Sequence, residues 1–278
     1  MNLLAEVRRC IAQHELIPRG AGVLAAVSGG SDSIALVHML RELEHEGDLR
    51  LLGIVHFNHQ LRTAADADEQ FVHGVADRFG LPFFAGRGDV AARARLQRRS
   101  IEVAARAARY EWFERARATA GADLVALGHT RDDQAETVLL RLTRGAGPRG
   151  LAGMHPRNGR IVRPLLGCRR DELRAWLGAR QLLFVQDSTN ADVAIPRNRV
   201  RAELLPLLAA RFNPAIVDVL ADQADLARDA WNWMERDATA LAHRAVRSRV
   251  NRHGEPVREL DAAALLASPV ALQRLVLW

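Results

Sequence analysis

Val23-Leu24-Ala25-Ala26-Val27-Ser28-Gly29-Gly30-Ser31-Asp32-Ser33 is the stretch that decides the fold of this 278-residue chain. Its five apolar residues predict a buried strand, and the two glycines that follow permit a sharp turn of the backbone. A helix that begins near Asp32 would direct unpaired N–H groups and the positive end of its dipole at this turn. The serines add hydroxyl donors. The stretch therefore predicts a cradle for phosphate groups, and an ordinary strand–turn–helix joint with serine caps is the alternative.

The turn differs from a P-loop because it lacks the lysine that reaches the terminal phosphates, and the whole chain contains no lysine. It carries an acid instead, Asp32. An acid beside phosphates indicates a bridging Mg²⁺ or contact with a cationic group. The wording Ser-Gly-Gly-Ser-Asp-Ser resembles the pyrophosphate loop (PP-loop) of the N-type ATP pyrophosphatases. This resemblance implies ATP cleavage between the α and β phosphates, with an adenylated intermediate.

Composition narrows the class of protein. The hydrophobic content of 49% is enough for a core, and no apolar run approaches the length of a membrane span. We therefore expect a cytoplasmic protein with no membrane partner. Cys10 and Cys168 lie far apart, which argues against a disulfide framework or a paired-cysteine metal site. The formal charge of +6 favours nucleic-acid binding, although all 39 basic residues are arginines, and a coding bias explains part of the excess.

Alternating apolar runs and helical patterns predict a Rossmann-like α/β fold, with a parallel sheet and helices on both faces. The predicted strands are 23–27, 51–57, 81–85 and 124–127. Ligands bind beyond the carboxyl ends of such strands. The polar segments that follow three of these ends, at residues 28–33, 56–62 and 128–136, are therefore expected to line one site.

The part of the chain after the predicted sheet contains a loop, three helices and a domain boundary. Residues 143–158 have the composition of a long loop, and helices are predicted at 169–180, 196–211 and 215–245. Phe212-Asn213-Pro214 indicates a boundary between a catalytic domain, 1–214, and a helical domain, 215–278. Because the final residues form an apolar helix without a cap, we expect this second domain to be partly truncated.

The turn after the fourth predicted strand carries two acids that share a helix face, Asp133 and Glu136. A structural reading is available, because Thr130 is a suitable N-cap and Asp133 completes a capping-box pattern. Beside a phosphate loop, the same carboxylates could hold Mg²⁺ or bind an amine.

Two further segments carry polar side chains with less specific patterns. His56 and His59 lack the third ligand of a zinc site, so contacts to adenosine or strand-end hydrogen bonds are the better interpretations. Arg106 and Arg109 share a face of one predicted helix, and their side chains either face solvent or bind an anion. Arginine clusters suited to phosphate oxygens occupy 93–99, 144–149 and 197–201.

Taken in order, the later segments resemble the tRNA(Ile)-lysidine synthases over residues 22 to 214. The segments that carry the resemblance are 56–62, 102–110, 128–150, 163–166, 187–192 and 197–201. Gln60 stands where the family usually has glycine, and Thr189 where it prefers serine. Ile195 and Pro196 precede the Arg-Asn-Arg run, where an aromatic residue is common. These departures put local loop contacts in doubt.

The resemblance implies an enzyme that uses ATP to adenylate carbon-2 of the wobble cytidine of tRNA(Ile) with a CAU anticodon. Free L-lysine then displaces AMP and gives lysidine. The residues expected to act in catalysis are Asp32, Arg109, Asp133 and Glu136, of which Arg109, Asp133 and Glu136 would bind the lysine and Asp32 would bind Mg²⁺. The residues expected to bind ATP are Ser28, Gly29, Gly30, Ser31, Asp32, Ser33, His56, Asn58 and His129. The residues expected to bind tRNA are Arg144, Arg197, Asn198 and Arg201. A homodimer remains open.

Two other functions fit the same loop. A PP-loop tRNA thiolase would use ATP in a related way, but two distant cysteines are a poor supply for sulfur transfer or a cluster. A module that binds adenine nucleotides without catalysis is the second alternative. Both enzymes would release pyrophosphate from ATP, whereas the binding module would not.

Overall fold

The computed structural model describes residues 2–60, 65–186 and 192–277. It contains a six-stranded sheet with strand order β3-β2-β1-β4-β6-β5 and a separate two-stranded ribbon, β7-β8. The strands are β1 (Gly22–Ala26), β2 (Arg50–Asn58), β3 (Phe83–Arg87), β4 (Leu124–Leu127), β5 (Arg157–Asn158), β6 (Ile161–Val162), β7 (Val246–Val250) and β8 (Pro256–Leu260). The helices are α1 (Leu3–Gln13), α2 (Ser31–His45), α3 (Ala65–Phe79), α4 (Val90–Gln97), α5 (Ile101–Thr119), α6 (Arg131–Leu142), α7 (Pro148–Leu151), α8 (Arg170–Ala179), α9 (Pro196–Arg199), α10 (Leu205–Arg211), α11 (Ile216–Ala245), α12 (Ala262–Leu266) and α13 (Val270–Leu277).

Strand β1 lies inside the sheet and is buried along its whole length. It pairs in parallel with β2 on one side and with β4 on the other. Its side chains alternate between two separate cores: Val23 and Ala25 join the larger one, with α1, α2 and α8, and Leu24 and Ala26 join the smaller one, with α5. This arrangement confirms the predicted parallel sheet covered on both faces. A strand that is buried on both faces has a continuous run of apolar residues, as β1 does.

The structure corrects one part of the sequence prediction and adds detail at the sheet edge. Residues 143–158 are not one loop, because Pro148–Leu151 form a short helix with proline in its first turn. The mostly parallel sheet ends in an antiparallel edge strand, since β5 pairs antiparallel with β6. Both strands have only two residues. Elements this short give no periodic signal in a sequence, which explains why they were missed.

The predicted helices beyond the sheet are present. Residues 196–211 form a continuous helical stretch in which Val200–Leu204 are π-helical. The long helix α11 follows and packs against α6, where Arg131 Nε donates to Asp218 at 2.6 Å. Leu241 and Ala245, in the last turns of α11, form a small core with Leu265 of α12. The domain boundary at residue 214 remains a prediction.

Among the described residues, no single helix is long and apolar enough to cross a membrane. One pair, Pro196–Arg211 with Ile216–Ala245, meets such criteria jointly by length and composition only, and it is bent by 102°.

Candidate functional site

The amino terminus of α2 is open at the predicted phosphate cradle. Gly30 occupies the N-cap position, and no side chain caps this helix end. By contrast, Ser100 and Thr130 cap α5 and α6 with their hydroxyl groups. The first N–H groups of a helix need an acceptor, and an anion supplies one. The uncapped end of α2 is therefore suited to bind phosphate.

Hydrogen bonds and one close backbone approach fix the shape of this turn. Ser33 Oγ accepts from the Ser28 N–H at 3.1 Å and donates to the Gly30 carbonyl at 2.9 Å. Gly29 has a φ of +94°, a left-handed conformation that favours glycine. Gly128, at the end of β4, packs so closely that a Cβ there would lie 2.9 Å from the Asp32 carbonyl oxygen. The turns after β1 and β4 thus meet at one rim, as the sequence predicted.

The carboxylates predicted from the sequence meet at this rim. Asp133 completes a capping box with Thr130, whose N–H donates to Asp133 Oδ2 at 2.8 Å. Glu136 lies one turn further along α6, and its side chain is fully buried. A buried carboxylate is costly unless it is paired, so both acids require cations nearby.

Three arginines supply these cations. Arg170, at the start of α8, donates to Asp32 Oδ2 at 3.1 Å, to Asp133 Oδ1 at 3.0 Å and to Glu136 Oε1 at 3.2 Å. Arg197 Nε donates to Glu136 Oε2 at 2.7 Å, and Arg201 donates to both oxygens of Glu136 at 2.7 and 3.1 Å. Glu136 therefore accepts four hydrogen bonds, which fills the lone-pair positions of a carboxylate.

The charges of this cluster shift the pKa values of its members. Burial alone would raise the pKa of Asp133, but Arg170 and Arg197 overcome it and hold that pKa below its ordinary range. Burial dominates at Asp32 and raises its pKa, although Arg170 opposes the shift. The pKa of Arg170 rises against its own burial, because Asp133 and Glu136 stabilise the charged form.

Sequence reasoning missed Arg170, because its position at the start of a helix carries no motif. Its role depends on the path of the chain between β6 and α8, which brings it to the acids of α2 and α6. Only the three-dimensional packing reveals this convergence.

A second group of basic side chains at the site consists of Arg109, His59 and His129. Burial, together with neighbouring Arg106 and Arg197, lowers the pKa of Arg109, and its buried Nε has no hydrogen-bond partner among the described residues. Burial also lowers the pKa of His59 to about 4 and that of His129 to about 3, with Arg109 acting in the same direction. Both imidazoles are therefore neutral near pH 7, and the Arg109 guanidinium is the cation of this group that is suited to receive an anion.

His56 and Asn58, which the sequence analysis assigned to ATP, lie on β2 and are both buried. His56 Nδ1 lies 2.8 Å from the Val27 carbonyl oxygen, beneath the phosphate turn. The Asn58 side chain donates to Asp66 and Glu69, and it accepts from the Gln60 N–H. Because these contacts occupy the Asn58 amide, its assignment to ATP stays a prediction.

The four residues predicted for tRNA differ in their exposure. Arg144 is exposed, whereas Asn198 is buried and donates to the Asp192 carbonyl. Arg197 and Arg201 contact Glu136, with about a third of each side chain exposed. Parts of the resemblance, namely Leu61–Arg62 and residues 187–191 with Thr189, lie outside the described residues.

The described residues contain no group of three or more His, Cys, Asp or Glu side chains arranged to hold a metal ion. The site nevertheless fits Mg²⁺, because this ion uses one or two carboxylates and completes its shell with phosphate oxygens and water. Asp32 would be the carboxylate, and both of its oxygens already accept a hydrogen bond, from Ser31 and Arg170. Each oxygen keeps a second lone pair that the ion could use.

The sheet, the uncapped helix and the acids at one rim define a nucleotide-binding α/β protein of the PP-loop class. A family model described as a PP-loop domain (ATP_bind_3) matches residues 4–208, and the chain belongs to this family. The resemblance predicted from the loop is thereby confirmed.

Two relatives are similar over most of the chain. A tRNA(Ile)-lysidine synthase of Geobacter sulfurreducens is 46% identical over 255 residues, which are 90% of this chain and 52% of that protein. A tRNA(Ile)-lysidine synthase of Symbiobacterium thermophilum is 42% identical over 283 residues, 99% of this chain and 58% of that protein. The chain thus spans about half the length of the curated relatives it matches.

A solved structure has the same fold. The U34-tRNA thiolase NcsA from Methanococcus maripaludis aligns with a TM-score of 0.67 and 15% sequence identity, over 82% of this chain and 80% of that one. At this identity the likeness concerns the fold alone.

Proposed function

We propose that this chain is the ATP-using part of an enzyme that joins free lysine to the wobble cytidine of tRNA(Ile) with a CAU anticodon. In the first step, the cytidine O2 attacks the α-phosphorus of ATP, and pyrophosphate leaves. In the second, the lysine ε-amine attacks carbon-2, AMP leaves with the oxygen, and lysidine forms. The observation that carries the proposal is the set of carboxylates beside an uncapped helix end, which offers a place for an amine next to a place for phosphates.

ATP binding is assigned to the turn from Ser28 to Ser33. The N–H groups at the start of α2 and the hydroxyls of Ser28, Ser31 and Ser33 would donate to phosphate oxygens. The missing side chain of Gly30 would let these oxygens approach the backbone. Mg²⁺ is assigned to Asp32. When bound, it would neutralise charge on the phosphates and favour departure of pyrophosphate.

The lysine ammonium is assigned to Asp133 and Glu136. Because arginine donors already fill the oxygens of Glu136, the ammonium can bind only when one of them withdraws. Arg197 and Arg201 are more exposed than Arg170 (32% and 30% against 12%), so they are the donors that can leave for solvent or phosphate. Arg109 would then receive the substrate carboxylate or the charge on the adenylate.

Binding of tRNA is assigned to Arg144, Arg197, Asn198 and Arg201. Each neutralised phosphate contact contributes about one unit to the slope of log affinity against log salt. We expect the double variant Arg197→Ala/Arg201→Ala to bind tRNA more weakly and with a flatter slope, while ATP binding without tRNA stays at the wild-type level. Unchanged tRNA binding at every salt concentration would remove this docking path. A cytoplasmic location belongs to the proposal, and a homodimer stays open.

The two cysteines favour the ligase over a thiolase. Burial raises the pKa of Cys10 to about 11 and that of Cys168 to about 12, so neither is a ready thiolate for sulfur transfer. The enzyme is tested by incubating it with ATP and tRNA(Ile), without lysine, and measuring pyrophosphate. We expect pyrophosphate release that depends on this tRNA. No release in any combination of substrates would favour a binding module without catalysis.

A further inference from the structure

Arg163 lies directly after β6 and is almost completely buried, with 2% of its surface exposed. Its Nε donates to His129 Nδ1 at 3.1 Å, and its terminal nitrogens donate to the His155 carbonyl at 2.6 Å and to the Tyr110 hydroxyl at 3.3 Å. None of these partners is a carboxylate. Because a buried guanidinium without an acid is costly, its place beside His129 calls for a reason beyond stability.

The contact with Arg163 determines which nitrogen of His129 carries the proton. A guanidinium only donates hydrogen bonds, so His129 Nδ1 must be the unprotonated, accepting nitrogen. The proton of the neutral ring therefore lies on Nε2. Nε2 has no hydrogen bond to the described residues and is not sealed from solvent, so it is available to a ligand.

Charges around His129 keep the ring neutral. Burial lowers its pKa to about 3, and Arg163, Arg109 and Arg197 act in the same direction, while Asp133 alone opposes them. A second proton would have to lie on Nδ1, facing the N–H of Arg163. Geometry and charge thus exclude the doubly protonated ring near neutral pH.

His56 provides the opposite case within the same site. Its Nδ1 faces the Val27 carbonyl oxygen at 2.8 Å, and a carbonyl only accepts. His56 must therefore carry its proton on Nδ1, which leaves Nε2 as an acceptor. One histidine can donate from Nε2, and the other can only accept there.

We propose that Arg163 is a positioning residue that holds His129 as a neutral Nε2–H donor to an anionic oxygen, a phosphoryl oxygen of ATP or of the adenylate. His56, in the opposite tautomer, receives a hydrogen bond from an amino or hydroxyl group of the nucleoside. The identity of these ligands rests on the proposed function, whereas the two tautomers do not.

The tautomers can be measured on the ligand-free protein. Long-range ¹⁵N–¹H correlation spectra of histidine-labelled protein distinguish a protonated Nδ1 from a protonated Nε2, and His129→Gln and His56→Gln assign the two rings. At pH 8 we expect an Nε2–H pattern for His129 and an Nδ1–H pattern for His56, and the pattern of His129 should stay unchanged down to pH 6. An Nδ1–H pattern or a titration of His129 in this range would overturn the proposal, and this test needs no variant of Arg163.

A substitution then tests the cause. In Arg163→Met, loss of the facing cation should raise the pKa of His129 by about one unit or more and produce a mixture of tautomers. Arg160→Met is the matched control, because it removes an exposed arginine nearby, and it should leave His129 unchanged. A pure Nε2–H pattern in Arg163→Met would show that Arg163 does not set the tautomer.

Kinetics link the tautomer to function. Arg163→Met should slow tRNA-dependent pyrophosphate release by tenfold or more without changing the lysine KM, and Arg163→Lys, which can still donate to Nδ1, should restore part of the rate. Wild-type rates in Arg163→Met would refute the functional role. If the tautomers are as expected but the wild-type protein forms no lysidine, the proposed function fails and the positioning by Arg163 stands.

Discussion

Replacement of Glu136 by glutamine tests the arginine–carboxylate cluster directly. The side chain keeps its shape, but one accepting oxygen becomes an amide that only donates. Two of the four hydrogen bonds from Arg170, Arg197 and Arg201 then become contacts between donors, and the negative charge that these cations share is lost.

The structure sets the size of the expected effect. Removing one partner from a buried ion pair costs about 3–5 kcal/mol. Because Arg197 and Arg201 are about a third exposed, they can turn to solvent, which places the expected cost near the lower end. In a protein of this size each kcal/mol corresponds to about 2–4 °C, so a loss of about 3 kcal/mol lowers Tm by about 6–12 °C.

Thermal unfolding and lysine dependence measure the two consequences. Glu136→Gln should lower Tm by this amount, raise the lysine KM and leave tRNA-dependent pyrophosphate release measurable. The control, Glu203→Gln, changes an exposed glutamate on the neighbouring π-helical turn and should leave both quantities near wild type. A wild-type Tm would refute the assigned pairing. Loss of pyrophosphate release with an unchanged lysine KM would refute the assignment of Glu136 to lysine.

Three other variants test separate parts of the site. Asp32→Ala should unfold at a Tm near that of wild type but lose pyrophosphate release, and retained release would exclude Asp32 from the chemistry. Gly30→Val should lose ATP binding in calorimetry without loss of Tm, because its Cβ would lie at an ordinary contact distance of 3.7 Å from Ser28 Oγ. Gly128→Ala should lower Tm through its clash with the Asp32 backbone. Asp133→Asn should reduce the dependence of the free energy of unfolding on pH in acid. The lowered pKa of Asp133 stabilises the wild type above about pH 4, and this contribution is lost as the pH falls further. Equal slopes of the two proteins in acid unfolding curves would contradict the pairing.

Local sequence patterns were sufficient for the four longer strands of the sheet, β1 to β4, and for the rim where the turns after β1 and β4 meet. The apolar run at β1 and the glycines after it predicted both the buried central strand and the uncapped helix end, because these features depend on neighbouring residues. Asp133 and Glu136 share a face of α6 as their spacing required. The capping box of Thr130 is present as well, which confirms the structural interpretation of Asp133, whereas its role toward an amine or Mg²⁺ stays a prediction.

The contacts that neutralise the acids could not be predicted. Arg197 and Arg201 were assigned to tRNA because arginine clusters suit phosphates, but the structure turns both onto Glu136, more than sixty residues away in sequence. Arg163 lies in a segment of the family resemblance, but no role was predicted for it, and Arg170 lies in no motif. Such pairings depend on how distant elements pack. The spacing of apolar and polar residues along a sequence indicates only the local helix or strand.

Transfer of labelled lysine is the measurement that tests the central proposal most directly. The protein is incubated with ATP, radiolabelled lysine and tRNA(Ile) with a CAU anticodon, and the tRNA is then digested and its nucleosides separated. We expect label in a single modified cytidine, with one AMP and one pyrophosphate formed for each lysine incorporated. ATP cleavage without label in the tRNA, or label that survives omission of ATP, would contradict it.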